Sequence, residues 1–167
     1  MNGGGLFETG AGGSAPKHVQ QLVEENHLRW DSLGEFCALG ESFKFLADVK
    51  KNKKALILGE AVDVATQGIL NNKKSPSRIT GENDNRDSHY FFALYWAQAL
   101  ASQDKDREIA VHFGSIVQAL FDNQDKILSE LNSVKGKPVD IGGYYHPSLK
   151  KLEKVMRPSQ TFNSIIG

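Results

Sequence analysis

Cysteine is nearly absent. Cys37 is the single one in 167 residues, so no disulfide can close within the chain, and a reducing, cytoplasmic setting is expected. No stretch approaches the roughly 20 consecutive apolar residues of a membrane span, and none resembles the apolar region of a secretory signal. Excess charge of either sign is missing too. The 20 Lys+Arg balance 20 Asp+Glu, so bulk electrostatics steer the protein neither to nucleic acid nor to an anionic membrane. There is no HExxH, no cysteine pairing at zinc spacing, no Walker A and no GxSxG motif. Glu82, Asp84 and Asp87 have no helical register that would converge three carboxylates on a metal. No catalytic residue and no metal ligand is therefore assigned within this chain.

What remains is ordinary globular material. Hydrophobic residues make up 40% and charged residues 24%, and nine Phe, four Tyr and two Trp can fill a core, which excludes a wholly disordered chain. The length suits one domain over 1–167. Leu33, Phe36, Cys37, Gly40, Phe43 and Ala47 recur at spacings of three and four, as do Ala55, Leu58, Val62, Ala65 and Ile69, so each set marks an amphipathic helix. Cys37, lying on such a face, is assigned to the core. The stretch 88–101 is apolar on nearly every face and is assigned to the buried centre, with Phe92 and Trp96 inside it. Ile109, Phe113, Ile116, Val117 and Leu120 mark another helix, and Ile127, Leu131 and Val134 a further one. A short basic helix follows at about 148–156, then an irregular tail. KPVDI alone could alternate as a strand. The polar stretch 71–87 reads as a long exposed connection. His89 and His112, on helices, read as packed and hydrogen-bonded rather than as ligands, and GGYYHP as a structural turn. The fold class is thus mainly α, a multi-helix domain behind a glycine-rich N-terminal loop.

That loop, residues 1–15, holds six of the sixteen glycines and cannot form a stable helix or a central strand. Ser14 and Pro16 then suit the start of a helix running from about Ala15 to Asn26. Gly10, Gly12, Gly13 and Ala15 satisfy G-x-G-x-x-A, but no strand long enough precedes them for a βαβ dinucleotide site. A more general reading is an anion site, in which backbone N–H groups of the loop (Gly10, Gly12, Gly13, Ser14) and the helix dipole face a phosphate. A frayed terminus is the plain alternative. Lys17 and His18 favour the anion, because cations in a first helical turn oppose the dipole unless a negative group compensates them. Arg29 and Arg78 offer guanidinium forks suited to a phosphate monoester, and Asp31 a carboxylate suited to a ribose or an adenine amino group.

The strings GGGLFETGAGGSAPKHVQQ, LRWDSLGEF, NKKSPSR, GENDNRDSH, ALYWAQALA, GKPVDIGGYYHP and RPSQTFN resemble the C-terminal portion of the monomeric-type NADP-dependent isocitrate dehydrogenases, from Gly3 to about Asn163. These oxidoreductases of the tricarboxylic acid cycle convert isocitrate to 2-oxoglutarate with NADP and Mg2+ or Mn2+. The resemblance implies a C-terminal segment of a larger two-domain enzyme, a truncated fragment showing the helical half of a mixed α/β domain. Loop 1–15 would lie against the dinucleotide, and His18, Arg29 and Arg78 would grip the 2′-phosphate that separates NADP from NAD. The family's metal ligands, isocitrate ligands and catalytic groups lie upstream of the matched part, so this chain alone is expected to lack turnover. Its partners would be NADP and the missing N-terminal portion, or a second copy covering the same surface. A non-catalytic helical binding or oligomerisation module retaining the scaffold is the alternative.

Overall fold

The computed structural model describes residues 15–167. Expectations placed on Gly10, Gly12, Gly13, Ser14 and the 1–15 loop fall outside the described residues, except for Ala15, where the first helix begins. Eight helices follow: α1 (Ala15–Glu25), α2 (Leu33–Lys50), α3 (Lys53–Asn71), α4 (Asn85–Ser102), α5 (Arg107–Asp122), α6 (Gln124–Ser133), α7 (Leu149–Met156) and α8 (Gln160–Ile166). The described residues contain no β-strand. The architecture is mainly α, as the periodicities imply.

Local chemistry sets most boundaries. Asn52, Asp106 and Ser159 each accept a hydrogen bond from a backbone N–H in the first turn of the helix they precede, which satisfies donors that have no intrahelical partner. Lys51 takes φ 51° and ψ 38° and ends α2, so α3 folds back against α2 after a tight reversal. The two helices approach closely: a Cβ on Gly59 would meet the Gly40 carbonyl oxygen at 3.0 Å, so a side chain there would force the helices apart.

Helix α4 lies between α3 and α5. Tyr90, Phe91, Phe92, Leu94, Ala97 and Leu100 are all buried along it, and Phe92 stacks on Phe36 of α2 with ring centroids 3.9 Å apart. Each such aromatic contributes about 1.5 to 3 kcal/mol by leaving water. Trp96 is half-buried and donates from Nε1 to the Leu58 carbonyl. A separate apolar cluster joins α1 to α7, with Leu22, Ile141 and Val155 at its centre.

Four expectations are corrected. Cys37 is exposed, because Phe36 and Gly40 set the inward stripe of α2 and Cys37 lies about 100° round the helix from Phe36. The tail is not irregular throughout: Ser159 caps α8, and Glu130 of α6 holds it by accepting from Ser159 and Thr161. KPVDI forms no strand, its Val139 N–H donating instead to the Val23 carbonyl near the end of α1. His112 is exposed, edge-on to Phe113, whereas His89, also exposed, is hydrogen-bonded through Nδ1 to the Asn85 carbonyl oxygen and packs edge-on to Phe36.

The 72–84 connection is exposed only in part. At its end Asp84, Asn85, Arg86, Asp87 and Ser88 are all buried. Asp84 caps α4 in a reciprocal box with Asp87, and Arg86 donates to Asp84, to the Asn26 side chain and carbonyl, and to the Val155 carbonyl. Burial pushes the Asp84 carboxyl up, but the Arg86 guanidinium, helped by Lys135, outweighs this and holds it below the usual range. Charges in a stretch that reads as an exposed connection are thus the polar centre joining α1, α4 and α7.

Candidate functional site

The link from α1 to α2 carries two of the candidate residues, and it is anchored along its length. Asn26 adopts φ 44° and turns the chain out of α1. Leu28 then exchanges hydrogen bonds with the start of α4, its N–H donating to Asp84 and its carbonyl accepting from Asn85 N–H at 2.9 Å. The Asn85 side chain donates to the Trp30 carbonyl and to Ser32 Oγ, both at 2.8 Å. Arg29 projects from the middle of this fixed segment.

Arg29 also binds the polar loop. Its Nε donates to the Arg78 carbonyl at 2.8 Å, and Nη2 donates to Glu25 at 2.6 Å and to Thr80 Oγ1 at 3.0 Å. His27, fully buried, meets the Ser77 carbonyl at 3.0 Å through Nε2. The loop bearing Arg78 is therefore stitched to the α1–α2 link by residues on both sides of Leu28. The Arg78 side chain is exposed and makes no hydrogen bond or ion pair with the described residues.

His18, in the first turn of α1, packs edge-on against Trp30, ring centroids 5.1 Å apart. Burial and then the nearby positive charge of Arg29 hold its imidazole below the ordinary 6.5. The imidazole is therefore held in its neutral form at neutral pH. Four buried side-chain atoms in this region, His18 Nδ1, Gln21 Oε1, His27 Nδ1 and Arg29 Nη1, lack a hydrogen-bond partner among the described residues. Buried polar groups are normally satisfied, so these donors and acceptors are open among the described residues.

The structure thus joins Arg29 to the Arg78 backbone and places His18 close enough for the Arg29 charge to act on its imidazole. Asp31 is adjacent in sequence but differently employed: its Oδ1 accepts from Leu33 N–H at 3.0 Å at the entry to α2, and no hydrogen bond or ion pair joins it to the other candidates. Glu25 and Thr80, which orient Arg29, were not foreseen. The i,i+4 spacing of Glu25 and Arg29 was a legible sign, whereas Thr80 enters only through tertiary structure. On the far flank of α1 an apolar groove of about 710 Å³ is lined by Val19, Val23, Ile141, Tyr144 and Tyr145. The GGYYHP turn that forms one wall is tight, with Gly142 at φ 88° and its Cβ position 3.0 Å from Ser148 N. Among the described residues no group of three His, Cys, Asp or Glu side chains could hold a metal ion, and no helix is long and apolar enough to cross a membrane.

The class that the fold defines is a mainly α, multi-helix protein. The chain belongs to the monomeric isocitrate dehydrogenase family, whose pattern matches residues 1–167. It is 59% identical over 167 residues to an NADP isocitrate dehydrogenase of Azotobacter vinelandii and 57% identical over 167 residues to one of Colwellia maris, covering 100% of this chain and 22% of each relative. The similarity to a Mycobacterium tuberculosis counterpart is 57% over 166 residues, again 22% of its length. The chain therefore spans about a fifth of the length of these relatives.

Proposed function

We propose that this chain is the cofactor-side portion of an NADP-dependent isocitrate dehydrogenase, and that His18, Arg29 and Arg78 bind the 2′-phosphate of NADP. The observation that carries this reading is the pair of unpartnered buried nitrogens, His18 Nδ1 in the first turn of α1 and Arg29 Nη1 on the link that follows that helix. A phosphate dianion accepts from both and favours the imidazolium that burial and Arg29 oppose, and at His18 it favours the helix dipole. Gly10, Gly12, Gly13 and Ser14 would add backbone N–H donors, and Asp31 would face the ribose or the adenine amino group with the carboxylate oxygen it does not use at α2. NADP, when bound, supplies the hydride acceptor for the oxidation of isocitrate to 2-oxoglutarate.

The described residues do not fit the family's Mg2+ or Mn2+, so no step through a metal is assigned to them. The metal, the isocitrate ligands and the acid–base groups would come from the remainder of a longer, two-domain, cytoplasmic enzyme, of which 1–167 is one helical segment. The experiment is a reconstitution: isocitrate-dependent NADPH formation with Mg2+ or Mn2+, measured for the chain alone and after mixing with the remaining portion of a close relative. The expected result is no turnover alone and turnover on mixing. Turnover by the chain alone would overturn the assignment of chemistry to residues outside it.

One observation favours a second reading. Phe45 and Val49 of α2 and Val64 and Leu70 of α3 are more than half exposed, apolar side chains that a partner would cover. A non-catalytic module that self-associates would remain oligomeric and inert in the same mixing experiment.

A further inference from the structure

Arg29 can be followed nitrogen by nitrogen. Nε is taken by the Arg78 carbonyl, and Nη2 by Glu25 and Thr80. Thr80 Oγ1, while accepting from Arg29, donates onward to the same Glu25 oxygen at 2.6 Å. Three side chains thus close a triangle around Nη2, with Glu25 and Thr80 separated by 55 positions in sequence. Nη1 is left over, buried and without a partner among the described residues. Because a guanidinium is planar and rigid, fixing Nε and Nη2 also fixes where the Nη1 hydrogens point.

Glu25 is an unexpected neighbour for a phosphate. The hydrogen bond from Thr80, then that from Arg29, hold its carboxyl below the usual range, so it is ionised at neutral pH. A free carboxylate in this place would repel a phosphate dianion and would instead suit a ribose 2′-hydroxyl. Its Oε2 is occupied by Arg29 and Thr80, which turns a group that would oppose NADP into one that aims the arginine.

We infer that Glu25 and Thr80 are positioning residues that set the preference for NADP over NAD, by holding two of the three Arg29 nitrogens so that Nη1 faces the 2′-phosphate. This rests on the reading of His18, Arg29 and Arg78 as a 2′-phosphate subsite. It makes a choice of sign that charge counting does not. If Glu25 merely neutralised Arg29, removing it would strengthen NADP binding. If it positions Arg29, removal weakens it.

The test is calorimetric titration of the chain with NADP and with NAD, for the parent, Thr80→Val, Thr80→Ser and Glu25→Ala, with a melting curve for each. Thr80 is exposed, and Thr80→Val is expected to melt like the parent. Loss of one aligned charged contact lowers NADP affinity roughly tenfold in Thr80→Val and in Glu25→Ala, with NAD affinity unchanged. Thr80→Ser, which keeps the hydroxyl, restores the parent ratio. Unchanged NADP/NAD ratios in both variants, or a gain of NADP affinity in Glu25→Ala, overturn the positioning role while leaving the subsite in place. A parent chain that does not prefer NADP to NAD overturns the subsite, and the positioning role with it.

Discussion

Lys135 Nζ lies 2.5 Å from Asp87 Oδ2, and each side chain is only 1% exposed. Both are committed elsewhere as well: Lys135 donates to the Glu82 carbonyl and to Asn132, and the same Asp87 oxygen accepts from Asp84 N–H. One buried ion pair therefore ties the end of the Arg78 loop to the start of α4 and the end of α6. Burial pushes the Asp87 carboxyl up despite its hydrogen bonds from the Asp84 N–H and Lys135.

Lys135→Met should leave that carboxylate in the interior without its counter-charge. Removing one partner of a buried pair costs about 3 to 5 kcal/mol, whereas replacing both with apolar groups costs far less. Urea unfolding of Lys135→Met should show a loss in that range, with part of it recovered in Lys135→Met/Asp87→Asn. Stability within about 0.5 kcal/mol of the parent would mean that the pair contributes nothing to the fold.

Phe92→Asp should prevent cooperative folding, because it would bury a charge against the Phe36 ring with no partner to pair it. Circular dichroism on heating should show no sharp transition. Trp96 supplies a second check: half-buried and hydrogen-bonded to the Leu58 carbonyl, it should emit between a solvated and a fully buried indole. It should shift to the solvated value in the variant.

Glu130 carries the docking of α8. The Ser159 hydroxyl, against an opposing effect of burial and with help from Thr161, lowers its carboxyl below 4.5. A lowered carboxyl contributes stability that is fully present above the unfolded value and is lost as pH falls through the folded one. The parent should therefore lose stability as pH drops below about 4.5, and Glu130→Gln should flatten part of that loss. At pH 7 the variant should be destabilised by about 1.5 to 3 kcal/mol, as for hydrogen bonds to a charged group. Equal pH dependence in the two proteins would remove Glu130 from this role.

Arg29→Asp with His18→Leu should cost NADP about two to four powers of ten in affinity and leave NAD nearly untouched. The imidazole of His18 charges below 6.5 in the free protein because burial and Arg29 oppose the cation. A bound phosphate favours that cation, so NADP should bind more tightly as pH is lowered from 8 toward 6.5, by up to about tenfold per unit. Titration calorimetry of the parent and His18→Leu across this range checks the sign. A slope that survives in His18→Leu would assign the proton to another group.

Helix positions were legible because they depend on neighbours three and four residues away. Phe36, Gly40, Val62, Ile69, Leu120 and Leu131 all face inward where their spacing puts them, and α1 begins at the expected Ala15. His18, Arg29 and Arg78 stood out for a related reason, since chemistry that opposes a helix dipole or suits a phosphate is visible in residue type alone.

What only tertiary structure decided depends on partners far away in sequence. Nothing near Asp84 and Asp87 shows that Arg86, Asn26 and Lys135 will surround them, so their burial is unreadable from a polar stretch. Cys37 looks apolar and inward until α3 and α4 select Phe36 and Gly40 as the packed line. The Glu25, Arg29 and Thr80 triangle spans 55 positions, and it exists only because His27 and the Arg29 guanidinium pin the loop against the α1–α2 link. Local pattern determined which residues could be helical, buried or cationic; the three-dimensional packing determined which of them meet, because hydrogen bonds and ion pairs form at distances that periodicity does not encode.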